Sequence, residues 1–396
     1  MWIALALILA WPAQAFATIP NGQTTDPLER GVLLALGSVY RVETTVSVAA
    51  LRTGTGQLFP LGPLHTVTEL GTAFAVAPGG VLVTDAHVVS PSGASLAIVA
   101  APLALAQQGT FGDLAAYEQW VQTNTVVPVG VRVLRVRVLR ATVNPHTPAT
   151  EVPAHLIRGS LEQTDDLALL QIADHHVPAL HLTQTDSIGT AAAVIGYGVA
   201  TPTTLGLPTT TVPGIKTGHL GVLATVKYLP GQQFTFIDSA IAHGDSGGPA
   251  VDAKGDAHGI VRFKNPGGGG LLDQASPIFR LLTRLGISNT TGPIATDFAT
   301  GMTDLWTHKL TEARDALTRT IDADRTHPLA AQELAVVTHL QHAPPTPVPS
   351  HWWRAFFLGL ATLTGIAAAL CAVRWRKIAR VGAHNKDAAP HFPSAP

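Results

Sequence analysis

The stretch AIAHGDSGGPAV, residues 240–251, raises the question on which the fold of this chain depends. Ser246 stands at its centre in a Gly-x-Ser-x-Gly pattern bounded by Gly244 and Gly248. The pattern suits an attacking serine on a tight turn, but a purely structural glycine turn has the same residues. Because the chain contains 37 glycines, the pattern alone does not separate the two interpretations. An acyl-transfer serine also needs a base, an acid that orients the base, and amide donors for an oxyanion, so these partners must decide.

Candidate partners lie upstream of Ser246. His87 follows an apolar strand-like stretch within GTAFAVAPGGVLVTDAHVVS, residues 71–90, and Asp166 directly precedes the apolar run LALLQI. A histidine base and an orienting carboxylate are the side chains that a serine nucleophile requires. Asp165 adjoins Asp166 and is the alternative acid. The chain order is histidine, aspartate, serine, with separations of 79 and 80 residues.

The sequence around these residues has the pattern of an all-β domain. From about residue 32 to residue 261, short apolar or alternating runs are broken by Gly, Pro, Thr and Asn. Strands and turns at this spacing are typical of a sandwich or barrel. The run VRVLRVRVLRATV, residues 131–143, predicts a strand with a solvated arginine face and a change of register.

Helices are predicted within and after the strands. FGDLAAYEQWVQ, residues 111–122, predicts a helical insertion, and ASPIFRLLTRLG, residues 275–286, predicts a helix with Ser276 as N-cap that ends at Gly286. Apolar residues at helical spacing then predict a helical hairpin over residues 300–341. A single hairpin gives no repeat period, so no helical-repeat array is predicted.

These motifs resemble those of the trypsin-like, chymotrypsin-fold serine proteases. The closer resemblance is to their disulfide-free bacterial branch, which includes the high-temperature-requirement proteases. TDAHVV, DLALL and GDSGGP match the family's Thr-x-x-His-Val-Val, Asp-Leu-Ala-x-Leu and Gly-x-Ser-Gly-Gly-Pro stretches in the same order. The resemblance covers about residues 30–288. It implies two antiparallel Greek-key β-barrels and a serine endopeptidase that uses no metal and no organic cofactor.

The resemblance also implies roles for single residues. His87 would be the general base, Asp166 its orienting acid and Ser246 the nucleophile, with the backbone amides of Gly244 and Ser246 as oxyanion donors. Asp166 is preferred to Asp165 because the family's acid directly precedes Leu-Ala. Small or medium apolar substrate residues are expected in the primary pocket, and an acidic residue attracted by a lysine is the alternative. The expected pocket residues are Ser239, Ala240, Ile241 and, on the opposite wall, Lys264.

Several residues near these motifs depart from the family pattern or compete with the assigned roles. Many secreted relatives are activated by cleavage before a hydrophobic pair, and no such site is visible here, so Asp245 lacks a new N-terminus to pair with. Arg262 and Lys264 stand where the family usually lines its pocket with small or neutral residues. His243 is interpreted as lining the cleft rather than acting as base. The DHH stretch at 174–176 is interpreted as a polar loop, since no third ligand stands at a metal-site spacing.

Apolar segments at both ends of the chain predict export and membrane anchoring. Residues 1–17 have the layout of a signal peptide, with an uncleaved anchor as the alternative. Residues 343–350 form a Pro-rich spacer before residues 355–373, whose nineteen uncharged positions predict a transmembrane helix rather than a buried globular one. Four Lys or Arg residues follow this segment, against Arg354 alone just before it. The tail, residues 374–396, is therefore predicted to be cytoplasmic.

Composition narrows the classes of function. Charged residues are 13% of the chain and the formal net charge is −1, so no basic field favours nucleic acid. The single cysteine, Cys371, lies in the predicted membrane helix, so the exported part forms no disulfide of its own.

The sequence as a whole predicts a single-pass membrane serine endopeptidase whose extracytoplasmic domain cleaves protein or peptide substrates. The main alternative is a catalytically silent protease-like sensor or binding module, with the helical hairpin contacting a protein partner. An α/β-hydrolase elbow is disfavoured because few helices are predicted before Ser246.

Overall fold

The computed structural model describes residues 22–61, 66–106, 108–109, 112, 114–144, 150–162, 165–184, 187–198, 212–226, 229–265 and 268–342. The chain divides into two units, Met1–Gln341 and His342–Pro396, and apart from His342 every element below belongs to the first. The predicted signal peptide, spacer, transmembrane helix and tail lie outside the described residues. Within the described residues, no helix is long and apolar enough to cross a membrane.

Strands dominate the first two thirds of the chain, and helices follow them. The strands are β1 (Val39–Ser47), β2 (Ala50–Arg52), β3 (Leu58–Pro60), β4 (Thr66–Ala77), β5 (Val81–Asp85), β6 (Val127–Val129), β7 (Arg132–Arg140), β8 (Glu151–Val152), β9 (Ala154–Leu156), β10 (Leu167–Ile172), β11 (Ala191–Gly196), β12 (Gly214–Val226), β13 (Leu229–Ile237), β14 (Pro249–Val251), β15 (Ala257–Lys264) and β16 (Gly270–Gln274). The helices are α1 (Pro27–Ala35), α2 (Ala86–Val89), α3 (Gly93–Ala106), α4 (Leu114–Thr123), α5 (Ala275–Arg284), α6 (Gly292–Trp306), α7 (Leu310–Ala323) and α8 (Ala330–His342).

The first large sheet is antiparallel and curls on itself. Its order is β8-β7-β1-β4-β5-β10-β9. The two edge strands, β8 and β9, are separated along the chain by Pro153 alone, so the opposite edges of the sheet meet at this residue. The prediction of a β-barrel is therefore correct in its general form. Within the described residues, no hydrogen-bonded ladder joins the two edges. The edges are joined instead by the chain itself, through Pro153.

The second sheet is a closed barrel. Its strands follow the order β11-β12-β13-β16-β15-β14, with β14 pairing back to β11. Alternate side chains point inward, and Val194, Leu220, Ile237, Val261 and Leu272 form part of its buried core. Closure leaves no free sheet edge in this half of the domain. The Ser246 motif lies on the connection between β13 and β14.

A smaller layer is inserted into the first half of the domain. A three-stranded sheet, β3-β2-β6, packs with α3 and α4 around its own apolar core. The predicted helix at 111–122 is confirmed as α4, and its aromatic Tyr117 is buried in that core. Helix α3 was not predicted, because GASLAIVAAPLALA is apolar on all sides and has no amphipathic period.

The two helices of the hairpin predicted for residues 300–341 are present as α7 and α8, but residues 300–306 belong to a third helix, α6, which was not predicted. Helix α6 ends at Trp306 and α7 begins at Leu310, with His308 between them at φ +59°. The apolar period continues across this break, which is why the sequence predicts one helix there. Residues of all three helices share a core with the two large sheets.

Two further predictions are correct only in part. Helix α5 is present, but its N-cap is Gln274 rather than Ser276. Strand β7 has the predicted register change, opposite Thr45 and Val46 of β1. Its arginine face is not uniformly solvated, because Arg140 is buried and donates to Asp324 beyond α7. The helical extension covers this end of the strand.

Candidate active site

Thr72 of β4 holds the Ser246 turn against the first sheet. Its backbone N–H donates to the carbonyl of Ser246 at 2.8 Å, and its Oγ1 donates to the carbonyl of Gly244 at 2.8 Å. Thr84 of β5 in turn donates from Oγ1 to the carbonyl of Thr72 at 2.7 Å. The turn from the second barrel is therefore hydrogen-bonded to the strands that lead to His87.

Gly247 makes this close approach possible. Its φ is +85°, a conformation that favours glycine. A Cβ atom at this position would lie 2.0 Å from the carbonyl oxygen of Thr72 and 3.2 Å from the backbone nitrogen of Asp85. A side chain would push the turn away from the end of β5, two residues before His87. Steric crowding therefore explains why a glycine directly follows Ser246.

His87 and Asp166 form a doubly hydrogen-bonded pair. His87 Nδ1 lies 2.8 Å from Asp166 Oδ2, and the His87 backbone N–H donates to Asp166 Oδ1 at 2.9 Å. The Asp166 carbonyl accepts from the N–H of Ala86 at 2.8 Å, so the backbones of the two segments are also hydrogen-bonded. Asp166 has φ +52°, an uncommon conformation for a residue with a side chain, at the residue just before β10. Since Nδ1 is engaged, Nε2 is the ring nitrogen left for proton transfer.

Asp165 is not placed to serve His87. Its carboxylate accepts from Arg280 of α5 at 3.2 Å on the protein surface. Of the two neighbouring aspartates, the structure brings only Asp166 to the imidazole.

The surroundings shift the pKa values of this pair in opposite directions. Burial alone would lower the pKa of His87, but the hydrogen bond with Asp166 and the charges of Asp85, Asp166 and Glu69 outweigh burial and raise it to about 9. Burial alone would raise the pKa of Asp166, but the hydrogen bond and charge of His87 and the charge of Arg262 lower it. In the unliganded protein, an imidazolium–carboxylate pair is therefore favoured below the raised histidine pKa.

Asp85 is a buried acid beside this pair. It is inaccessible to solvent, and neither carboxylate oxygen has a hydrogen-bond partner among the described residues. Burial raises its pKa well above the usual value. Ligand atoms of Asp85, His87 and Asp166 lie within 4.8 Å of one another, the one such group in the described part of the chain that has the spacing of a metal site. The histidine nitrogen nearest the carboxylates is already hydrogen-bonded to Asp166, as expected of an acid–base pair.

Arg262 lies behind the acid rather than in the wall of the substrate pocket, contrary to the expectation from its sequence position. Its side chain is buried, with Nε 3.4 Å from Asp166 Oδ2 and Nη1 3.2 Å from Asp273. Its guanidinium also lies over the rings of Phe263 and Phe234, at 4.8 and 5.5 Å from their centroids. Burial raises the pKa of Asp273 to about 7, although Arg262 opposes the rise.

The backbone N–H groups around Ser246 fall into two sets. The N–H groups of Asp245, Gly247 and Gly248 donate to the carbonyls of Ala242, Val261 and Asp245, respectively. Among the described residues, the N–H groups of Gly244 and Ser246 stand outside this set of turn hydrogen bonds. Gly244 has φ +99°, and a Cβ there would lie 2.6 Å from the Tyr197 carbonyl oxygen. A glycine is therefore required at this corner.

The residues predicted for the substrate pocket differ in exposure. Ser239 is buried and donates from Oγ to the carbonyl of Lys216 at 3.0 Å, whereas Ala240 is exposed. Ile241 is buried against Gly270, where a Cβ would lie 2.2 Å from its Cγ1. Lys264, the last residue of β15, is exposed. Its charge is therefore available to solvent, which favours an apolar pocket over one dominated by this lysine.

The other histidines singled out in the sequence have partners of their own. His243 is part-exposed, and its Nε2 lies 3.3 Å from Oε1 of Glu69. His175 and His176 lie on an exposed turn, where His175 Nδ1 is 3.2 Å from the Gly79 carbonyl.

Four residues that the structure places around the site were given no supporting role by the sequence analysis. They are Thr72, Lys216, Arg262 and Asp273. Thr72, Lys216 and Arg262 contact motif residues from other strands, and Asp273 pairs with Arg262. No local pattern in the sequence marks such roles.

Part of the chain is similar to known proteins. Residues 71–260 match the family described as "Trypsin-like peptidase domain". Among solved structures, the active form of the Rv3671c protease from M. tuberculosis is similar, with 16% sequence identity and a TM-score of 0.40. The similarity covers 70% of this chain and 91% of that one. The curated proteins include no match.

The chain therefore carries a trypsin-like peptidase domain that includes residues 71–260. The family match spans the His87, Asp166 and Ser246 motifs.

Proposed function

We propose that the protein is an exported, membrane-anchored serine endopeptidase of the disulfide-free bacterial type, in which His87, Asp166 and Ser246 form the catalytic triad. The observation that carries the proposal is the doubly bonded His87–Asp166 pair, with the Ser246 turn held beside it by Thr72. This arrangement supports acyl transfer because it supplies a base with a fixed tautomer and a serine on a rigid turn.

The chemistry then follows from these groups. Ser246 Oγ attacks the carbonyl carbon of the scissile peptide while His87 Nε2 accepts the hydroxyl proton. The N–H groups of Gly244 and Ser246 stabilise the negative oxygen of the tetrahedral intermediate. His87 next gives its proton to the leaving amine, and the C–N bond breaks to leave an ester on Ser246. A water molecule activated by His87 attacks the ester, which releases the acid product and restores the serine.

The pH profile should report the raised pKa of His87. The base must be neutral to accept a proton, so kcat/KM should increase with pH and level off only above the pKa of the free protein, about 9. The acid limb should therefore lie on the alkaline side of an ordinary histidine, whose pKa is about 6.5. The measurement is kcat/KM for a peptide substrate from about pH 5 to about pH 10, with stability checked at each pH. A flat profile between about pH 5 and about pH 8, with chemistry rate-limiting, would exclude His87 as the base.

Peptide cleavage tests the function and the pocket together. We expect the purified protein to cleave a mixed peptide library after small or medium apolar residues, because Ile241 is buried and no carboxylate lies among the proposed pocket residues to pair with a substrate cation. Dominant cleavage after Lys or Arg would contradict the apolar pocket. Cleavage after Glu that disappears in Lys264→Ala would assign specificity to the lysine. A protein that neither cleaves the library nor reacts with a fluorophosphonate would support a silent sensor.

The proposed location rests on the terminal sequence segments. A signal peptide at 1–17 and a membrane helix at 355–373 would leave residues 18–350 outside the cell and 374–396 in the cytoplasm. Protease added to intact spheroplasts should then digest the catalytic domain while a tag placed after Pro396 stays protected. The reverse pattern of protection would contradict the orientation.

A further inference from the structure

The side chain of Asp245 joins the proposed oxyanion turn to Gly198, just after β11, and to Ala242. Asp245 is inaccessible to solvent and stands between the two residues whose amides are proposed to bind the oxyanion. Its Oδ1 accepts from the N–H of Gly198 at 2.9 Å, and its Oδ2 accepts from the N–H of Ala242 at 2.7 Å. Its own backbone N–H returns a hydrogen bond to the Ala242 carbonyl at 3.1 Å. The conformation of the turn therefore depends on where this carboxylate is held.

Lys216 supplies the positive charge that the carboxylate needs. Its Nζ forms an ion pair and a hydrogen bond with Asp245 Oδ2, and only 8% of the residue is exposed. Lys216 lies on β12 opposite Val194 of β11, so the closed barrel fixes its backbone. A buried carboxylate without a compensating charge is costly, and Lys216 is the cation that contacts it.

The end of β11 is shaped to receive this pair. A Cβ at Gly198 would lie 2.3 Å from Asp245 Oδ1 and 2.5 Å from Lys216 Nζ. A Cβ at Gly196 would lie 2.7 Å from Asp245 Oδ1. Any side chain at either position would push the carboxylate or the ammonium from its place. The pair therefore occupies a space that two glycines leave open.

We propose that Lys216 is a positioning residue for the oxyanion turn, which forms on folding and needs no cleavage that frees a new N-terminus. The sequence shows no activation site of the kind that many secreted relatives use, and the barrel itself provides the charge for Asp245. This inference rests on the proposed protease function and adds how that activity is regulated: the mature protein is constitutively competent. Lys216 acts through Asp245 and does not contact the substrate.

The central experiment compares kcat and KM of the full-length wild type with those of Lys216→Met. Loss of the lysine should lower kcat about 100- to 1000-fold, the effect of losing one oxyanion donor, and leave KM within a fewfold of wild type. Lys254→Met is the matched control, because Lys254 lies exposed on the turn between β14 and β15 and should keep wild-type kcat. Rapid labelling of the uncleaved wild type by a fluorophosphonate, with the chain verified by intact mass, is also expected.

A double variant separates positioning from general loss of stability. Lys216→Met alone leaves a buried charge unpaired, whereas Lys216→Met with Asp245→Asn restores a neutral pair and should fold even if the single variant does not. Thermal unfolding checks each protein. If Lys216 acts through Asp245, the double variant should have a kcat no lower than that of Asp245→Asn alone.

Three outcomes would contradict the inference. Wild-type kcat in folded Lys216→Met, or a double-variant kcat well below that of folded Asp245→Asn, shows that the lysine does not position the turn through Asp245. A wild type that becomes active only after limited proteolysis shows that a new N-terminus is required, while the protease function stands. A wild type that is inert before and after limited proteolysis overturns the protease function and this inference with it.

Discussion

Ser246→Ala is expected to lower kcat for peptide hydrolysis by about 10⁴- to 10⁶-fold, the largest effect of any single substitution together with His87→Ala. A loss of 10⁴ corresponds to about 5.5 kcal/mol of transition-state stabilisation. The variant keeps the turn, because Thr72 bonds the backbone carbonyls of Ser246 and Gly244 rather than the serine side chain. The expected loss is therefore chemical, and the thermal stability should stay close to that of the wild type.

The measurement is steady-state cleavage of a peptide by purified protein, together with covalent labelling by a fluorophosphonate. Ser276→Ala is the matched control, because Ser276 lies in α5, away from the turn, and should keep wild-type turnover and labelling. His87→Ala should lose activity to a similar extent, since the two residues act as one unit. Near-normal hydrolysis by Ser246→Ala, free of contaminating protease, would refute the nucleophile assignment.

The general fold was predicted from the resemblance to a known family that three short motifs, in their order along the chain, carry. Each motif is weak alone, but the local chemistry that each requires is encoded nearby. Glycines surround Ser246, an apolar strand precedes His87, and another strand follows Asp166. The strand period of two also identified β7 and its register change. Turns and strands of this kind can be predicted from sequence because the residues that determine them lie within a few positions of one another.

Contacts between strands that are distant along the chain could not be predicted from local sequence. Lys216 and Asp245 are 29 residues apart, and they meet only because β12 and the serine turn belong to one closed barrel. Arg262 reaches Asp166 from β15 of the second barrel, so its role depends on how the two sheets face each other. A charged residue next to a pocket motif suggests a pocket role from sequence alone. In the structure, Arg262 is buried and pairs with Asp166 and Asp273 instead.

The errors among the helices have a different cause. Periodicity identifies a helix only when one side is apolar and the other polar. Helix α3 fails this test because it is apolar all round. At the break between α6 and α7, periodicity instead predicts one helix where the structure has two. The apolar positions keep their helical spacing on both sides of His308. Both regions are buried against other layers of the domain, which removes the polar contrast that sequence analysis needs.

Asp166→Asn is expected to lower kcat by about 10⁴-fold while leaving the protein folded. An asparagine amide can donate to His87 Nδ1, which would place the ring proton on Nε2 and remove the base from the serine side. The substitution also removes a hydrogen bond and a charge that raise the pKa of His87, so the acid limb of the residual activity should move to lower pH. This shift distinguishes loss of the orienting charge from a general loss of structure.

Asp165→Asn is the matched control for this substitution, since it changes the neighbouring carboxylate by the same atoms. Asp165 pairs with exposed Arg280, and such surface pairs contribute about 1 kcal/mol or less, so kcat should stay within about twofold of wild type. If Asp165→Asn abolished turnover and Asp166→Asn did not, the acid would be misassigned despite its contact with His87. A large loss in Asp166→Asn with an unshifted acid limb would mean that Asp166 orients the ring without setting its charge. In that case Asp85, buried 4.0 Å from His87 Nδ1, would be the group that raises the histidine pKa.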